Sequence, residues 1–109
     1  MYQDAEVKMI ETLKQHLNEI VRLCEMHDVK EMYVFGSAAT DSFGDDSDYD
    51  FLITFKDISI EKYTDNYFSL HKSLEELLGR KIDLLTNKSL GNPYFIESIE
   101  ETRQLLYAA

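Results

Sequence analysis

Residues 33–55 have the sequence Tyr33-Val-Phe-Gly-Ser-Ala-Ala-Thr-Asp-Ser-Phe-Gly-Asp-Asp-Ser-Asp-Tyr-Asp-Phe-Leu-Ile-Thr-Phe55. A short apolar run ends at Gly36-Ser37, and Asp48 and Asp50 lie at the start of a second apolar run. Residues two apart in a β-strand share a face, so these two carboxylates should point the same way while their neighbours enter the core. The stretch predicts two strands joined through a Gly-Ser turn, with two carboxylates on one face.

A third carboxylate, Asp83, interrupts another apolar run downstream. Burying an unpaired charge costs several kcal/mol, so carboxylates in such runs are usually paired or bound to metal. Three converging carboxylates can hold a pair of divalent cations that stabilises the attacking and leaving oxygens of phosphoryl transfer. We therefore expect Asp48, Asp50 and Asp83 to form one metal site, whereas Asp45 and Asp46 read as a solvated turn.

The alternating carboxylates at Asp46, Asp48 and Asp50 also suggest a calcium loop. Such a loop needs glycine at its sixth position and a bidentate glutamate at its twelfth. Those positions are Phe51 and Asp57 in this chain, so the calcium loop is rejected.

Gly36-Ser37 lies where a strand gives way to a turn. Glycine allows a close approach of the backbone, and amide groups at the start of a helix bind phosphate. A Gly-Ser pair alone is a weak signal, and a plain turn with a serine cap would explain it. Its spacing to the carboxylates is what indicates a phosphate-binding turn.

The periodicity of the rest of the chain predicts an α/β domain with a small mixed sheet. Gly79 is placed to end a long helix, and Asn92-Pro93 to begin a helix of about ten residues. The predicted elements are a helix over 5–26, strands over 32–35, 49–55 and 81–86, a helix carrying an apolar face from Tyr63 to Leu78, the helix after Asn92, and a strand over 105–107.

Length and composition favour one folded domain over residues 1–109, with 44% hydrophobic residues. We see no signal peptide and no apolar run long enough for a membrane span, and the single cysteine, Cys24, suggests a buried thiol in a reducing cytoplasm. The net charge is −10 and no run of basic residues is present, which argues against nucleic acid as a partner.

Taken together, Gly36-Ser37, ten intervening residues, Asp48-Tyr-Asp50 and the later Asp83 resemble the minimal nucleotidyltransferases of the DNA polymerase β superfamily. The resemblance implies that fold, an α+β domain with a small mixed sheet flanked by helices. It also implies that Gly36 and Ser37 hold the nucleoside triphosphate, ATP above all, and that Asp48 and Asp50 bind Mg²⁺ or Mn²⁺. Asp83 is expected to help bind one metal ion and to activate the acceptor hydroxyl.

Small members of that family are often paired with a HEPN-domain protein, and some pairs are toxin–antitoxin systems. The resemblance thus implies a metal-dependent enzyme that transfers AMP from ATP to a hydroxyl on a HEPN-domain protein encoded nearby, with a homo- or hetero-oligomer as a further expectation. The alternative is an antitoxin-like subunit that neutralises its partner by binding, with little or no catalysis.

A triphosphate beside these carboxylates needs positive charge, and residues 31–55 contain no Lys, Arg or His. Metal ions, backbone amides and a basic residue from elsewhere in the chain would have to supply that charge. The basic residues considered for this role are Lys56, Lys62, Lys72 and Lys88.

Overall fold

The structure, a computed structural model, describes residues 13–36, 48–89 and 91–109. Its helices are α1 (Leu17–Met26), α2 (Ile60–Leu78) and α3 (Pro93–Thr102), and its strands are β1 (Val29–Phe35), β2 (Tyr49–Phe55), β3 (Ile82–Thr86) and β4 (Gln104–Ala108). A 3₁₀ turn, Asn87–Ser89, follows β3. Three predictions lie outside the described residues: Ser37, the turn at Asp45 and Asp46, and the part of the first helix over 5–12.

The four strands form one mixed sheet in the order β3-β2-β1-β4. β1 pairs antiparallel with both β2 and β4, whereas β2 and β3 run parallel. The start of β2, the start of β3 and the end of β1 therefore meet at one end of the sheet. The predicted mixed sheet of a small α+β domain is confirmed.

The sheet buries its two faces unequally. Alternate residues of β1, β2 and β3 join α1 and α2 in the main core, whose fully buried side chains include Ile20, Met32, Phe51, Leu70 and Leu74. The opposite face, here called the α3 face, has a much smaller buried cluster of Phe35, Leu52 and Ile99. Polar side chains on the α3 face can therefore reach solvent next to an apolar patch.

The predicted helix ends depend on local chemistry, and both are confirmed. Gly79 ends α2 in the left-handed conformation at φ +69°, and its N–H donates to Glu75 O. Asn92 caps α3 by accepting from Tyr94 N, and Pro93 occupies the first turn. Each residue satisfies or removes a backbone group that a helix end leaves without a partner.

Two element boundaries differ from prediction. The predicted first helix is interrupted, because His16 has φ −112° and ψ 7° and α1 begins after it. β1 begins at Val29 rather than Met32, since pairing with β2 on one side and β4 on the other extends it over polar residues. Within the described parts of the chain, no helix combines the length and apolar character that crossing a membrane requires.

Candidate functional site

Asp50 and Asp83 lie side by side on the α3 face. They are direct partners in the parallel pairing of β2 with β3, so their Cα atoms are about 5 Å apart. Their neighbours Tyr49, Phe51 and Leu84 point into the core on the other face, which directs both carboxyl groups outward. The sequence predicted that these two side chains meet, and the sheet register brings them together.

The two carboxyl groups interact strongly. The pKa of Asp50 is raised from 3.8 to about 6 by burial, then by the hydrogen bond that the protonated Asp50 donates to Asp83, and by the charges of Asp83 and Asp48. Two carboxylates at this distance repel each other, and a shared proton or a cation relieves the repulsion. Metal-free protein near neutral pH therefore holds a pair that favours an added positive charge.

Gly36 fits closely against this pair. It follows β1, next to the point where Phe35 pairs with Asp50, and has φ +69°. A Cβ atom at this position would lie 2.5 Å from Asp50 Oδ2, which no side chain can tolerate without movement. Its N–H donates to Thr102 Oγ1 at the end of α3, at 3.4 Å. Glycine is required here by both the backbone conformation and the closeness of the carboxylate.

The side chain of Asp83 is more exposed to solvent than the apolar residues on either side of it in the sequence led us to predict. It is exposed, whereas Asp50 is half-buried. The flanking Ile82 and Leu84 are buried on the opposite face, and β3 is an edge strand of the described sheet, so no described strand covers Asp83 from the side. Within the described residues, the third carboxylate is thus exposed.

Asp48 stands somewhat apart from the pair. It is exposed and precedes β2, and its charge is the smallest of the causes that raise the pKa of Asp50. In residues 13–36, 48–89 and 91–109, no three His, Cys, Asp or Glu side chains are grouped closely enough to hold a metal ion as they stand. The pair of Asp50 and Asp83 is therefore formed, and the three-ligand metal site remains a prediction.

The four lysines considered for the triphosphate are exposed and do not lie at the carboxylate end of the sheet. Lys56 and Lys88 follow β2 and β3, at the end of the sheet opposite to Asp50 and Asp83, and Lys62 lies in the first turn of α2 at that same far end. Lys72 is exposed on α2, the helix that packs against the other face. Residues at the two ends of a strand are far apart in space even when they are close in sequence, so the positions of these lysines in the sequence did not show their distance from the carboxylates.

Basic residues that sequence reasoning overlooked lie at the carboxylate end. Arg80 and Lys81 immediately precede β3, three and two residues before Asp83 respectively. The Arg80 guanidinium lies over the ring of Tyr49, 5.6 Å from its centre, and Lys81 O accepts from Tyr49 N. Their short distance in sequence from Asp83 was the signal that could have identified them.

A cavity of about 470 Å³ extends along the α3 face beyond the carboxylates. Leu52, two residues after Asp50 on β2, lines it together with Ile96 and Ile99 of α3. At its rim the Arg103 guanidinium lies 4.5 Å from the centre of the Tyr33 ring. The sequence did not predict this groove, because it depends on how α3 crosses the sheet.

The geometry fits a divalent cation. Carboxylate oxygens are the ligands that Mg²⁺ prefers, and Asp50 and Asp83 present theirs together on a half-open surface. A cation between the two carboxylates would relieve their repulsion as a shared proton does. Because Gly36 has no Cβ, its backbone lies close to the Asp50 carboxyl group.

Comparison with known proteins gives consistent results. Residues 13–106 match the nucleotidyltransferase domain family. A Methanocaldococcus jannaschii protein, provisionally named a protein adenylyltransferase, is 36% identical over 97 residues, which are 89% of this chain and 91% of the relative.

Two solved structures are similar in fold. One, provisionally named a minimal nucleotidyltransferase, has a TM-score of 0.73 and 29% identity over 86% of this chain and 92% of that one. The other is from tri-AMPylated Shewanella oneidensis HEPN toxin in complex with MNT antitoxin, with a TM-score of 0.61 and 17% identity over 88% of this chain and 72% of that one. At that identity the second likeness shows the fold alone.

Proposed function

The chain belongs to the minimal nucleotidyltransferases of the nucleotidyltransferase domain family, and on that premise we propose that it transfers AMP from ATP to a hydroxyl group of a partner protein. The observation that carries the proposal is the pair of Asp50 and Asp83, adjacent on neighbouring strands and closely approached by Gly36. The relative named for protein adenylyltransferase activity supports the adenylyl group and the protein acceptor.

The proposed reaction is a displacement at the α-phosphorus of ATP. The acceptor oxygen forms a bond to that phosphorus, the bond to the β-phosphate oxygen breaks, and pyrophosphate leaves. Asp83 is exposed on an edge strand, where an acceptor hydroxyl can reach it and give up its proton. Asp50 is half-buried behind it and fixes the position of the pair.

Mg²⁺ or Mn²⁺, held by Asp50, Asp83 and Asp48, would neutralise charge on the phosphates and on the displaced oxygen. The backbone at Gly36, with Ser37 beside it in the sequence, is proposed to contact the triphosphate, because Gly36 lies at the end of β1 directly against the Asp50 carboxyl group. Arg80 and Lys81 add positive charge at this end of the sheet. These residues replace the lysines that the sequence alone suggested.

The proposed partner is a HEPN-domain protein encoded nearby, with both proteins acting in the cytoplasm as a hetero-oligomer. The structural neighbour taken from an AMPylated HEPN toxin in complex with an MNT antitoxin supports this class of partner. The groove on the α3 face is lined by Leu52, two residues after Asp50 on β2, so a partner segment held in it would lie on the same face of the sheet as the two carboxylates.

The test is an in vitro transfer assay with the co-purified partner, MgCl₂ and each of the four nucleoside triphosphates. Intact-mass spectrometry should show AMP adducts on the partner with ATP, few with the other nucleotides, and none without divalent cation. A partner that is bound and silenced yet never modified would overturn the enzymatic proposal in favour of neutralisation by binding alone.

A further inference from the structure

Three lysines line a pocket at the end of the sheet opposite to the carboxylates. The pocket has a volume of about 300 Å³. The residues that line it are Lys30, Thr54, Phe55, Lys56, Asp57, Ile58, Tyr63, Asn87 and Lys88. Three of the 11 Lys and Arg residues of this acidic chain are therefore gathered around one small concavity.

The three lysines come from β1, from the residue after β2 and from the turn after β3, and backbone hydrogen bonds hold the first two in place. Lys30 is in β1, where its carbonyl accepts from Ala109 N at 2.8 Å. Lys56 follows β2, and its N–H donates to Asp28 O at 2.8 Å. Lys88 lies in the 3₁₀ turn after β3. The sheet itself thus brings the three cations together.

An aromatic pair orients the third lysine. The Lys88 ammonium lies 5.0 Å from the centre of the Tyr63 ring, a cation–π contact. Tyr63 in turn packs edge-on against Phe55, with ring centres 4.8 Å apart. Lys88 therefore has a preferred position at the pocket, set by its packing against Tyr63.

The charge in this pocket is poorly balanced by the protein. Among its lining residues the single carboxylate is Asp57, against three ammonium groups. The protein as a whole carries a net charge of −10, so a group of three lysines with one carboxylate among its neighbours contrasts with the rest of the chain. Like charges placed together repel, and a bound anion relieves that repulsion.

We propose that this pocket, which we call the lysine pocket, binds a compact phosphate-bearing anion. Its volume lies at the small end of the range for ligand sites, so it suits a phosphate or diphosphate group better than a large ligand. Lysine ammonium groups bind phosphate as point charges, and the Asn87 amide can donate a further hydrogen bond.

The lysine pocket is distinct from the nucleotide site. Phe55 lies five residues beyond Asp50 on β2, which at about 3.3 Å per residue separates the two ends by about 16 Å. Lys56 and Lys88 follow the ends of β2 and β3, whereas Asp50 and Asp83 lie near their starts. Binding in this pocket therefore does not depend on the proposed transfer reaction.

The test is calorimetric titration of the full chain with inorganic pyrophosphate in metal-free buffer of low ionic strength. Without divalent cations the carboxylate end repels the anion, so binding reports on the lysine pocket. We expect binding that weakens with added NaCl and weakens about tenfold or more in the triple variant Lys30→Gln, Lys56→Gln, Lys88→Gln, because charge-assisted hydrogen bonds are lost.

Two controls locate the binding site. The triple variant Lys14→Gln, Arg22→Gln, Lys72→Gln removes the same charge from exposed positions outside the pocket and should bind pyrophosphate within about twofold of wild type. Asp50→Asn should bind pyrophosphate as wild type does, whereas clearly tighter binding would show that the anion binds at the carboxylate end, where the substitution removes a repelling charge. The proposal is overturned if wild type does not bind pyrophosphate, if the pocket variant binds like wild type, or if the control variant loses as much affinity.

Discussion

The two ends of the sheet carry opposite chemistry on the same three strands. At one end, the carboxyl groups of Asp50 and Asp83 lie side by side, and that of Asp50 packs against the backbone of Gly36, where there is no room for a side chain. At the other end, the lysine pocket gathers three ammonium groups with one carboxylate among its lining residues. A protein with a net charge of −10 thus has a strongly acidic end and a basic end about 16 Å apart along β2.

This difference shows how a small sheet can separate two electrostatic functions. The acidic end needs cations before it can accept a phosphate group, whereas the basic end attracts phosphate without them. Because the strands are rigid and the two ends lie at opposite termini, substitutions at one end should leave the other nearly unchanged. The following predictions test that independence.

The largest effect should come from Asp50→Asn. The substitution keeps the volume and removes the half-buried charge of the pair, so adenylyl transfer to the partner should fall by about a hundred- to a thousandfold. Asp57→Asn removes one exposed carboxylate at the basic end and should keep transfer within about twofold of wild type. Initial rates measured with labelled ATP distinguish the two variants, and equal losses would show that the ends are not independent.

Gly36→Ala should destabilise the protein by about 2 to 3 kcal/mol, because it adds a clash with Asp50 to the cost of a positive φ. Gly79→Ala is the matched control, since Gly79 has the same φ of +69° and no atom within 4 Å of an added Cβ. It should cost about 1 kcal/mol. Urea unfolding of both variants measures the difference, and equal losses of stability would mean that Asp50 does not crowd Gly36.

The stability of the metal-free protein should fall as the pH rises from about 4 to about 6 and level off above that. The folded-state pKa of Asp50 is raised from 3.8 to about 6, so the stability gained by its protonation is full below about pH 4 and lost as the pH rises through about 6. The loss should be about 1 to 2 kcal/mol, after a discount for the solvent exposure of the pair. Urea unfolding between pH 4 and pH 8 should show this slope in wild type and a reduced slope in Asp50→Asn.

The smallest effect on the transfer reaction is expected from substitutions in the lysine pocket. The triple variant Lys30→Gln, Lys56→Gln, Lys88→Gln should transfer AMP to the partner within about twofold of wild type at saturating ATP, because its changes lie far from Asp50 and Asp83. Steady-state rates test this. A loss of transfer as large as that of Asp50→Asn would mean that the lysines serve the reaction after all.

Features determined by short stretches of sequence were predictable. Gly79 and Asn92-Pro93 marked helix ends because capping depends on one or two residues. Asp50 and Asp83 could be paired because each interrupts an apolar strand, and the alternation of a strand fixes which face a side chain occupies.

Features that combine distant segments were not predictable. The lysine pocket joins Lys30, Lys56 and Lys88, which are far apart in sequence and come together only when β1, β2 and β3 pair. The exposure of Asp83 depends on β3 being an edge strand, which its own sequence does not reveal. For the same reason the sequence could not show that Lys56 and Lys88, two of the lysines considered for the triphosphate, lie at the end of the sheet opposite to the carboxylates.

The central claim is that Asp50 and Asp83 hold the divalent cation, and thermal unfolding with and without Mn²⁺ at pH 7.5 tests it most directly. Wild type should gain about 2.7 kcal/mol at about one hundred times the dissociation constant. Asp57→Asn should keep this gain, whereas Asp50→Asn should lose most of it while being at least as stable as wild type without metal. A full Mn²⁺-induced rise in the melting temperature of Asp50→Asn would show that the metal binds elsewhere and would contradict the account.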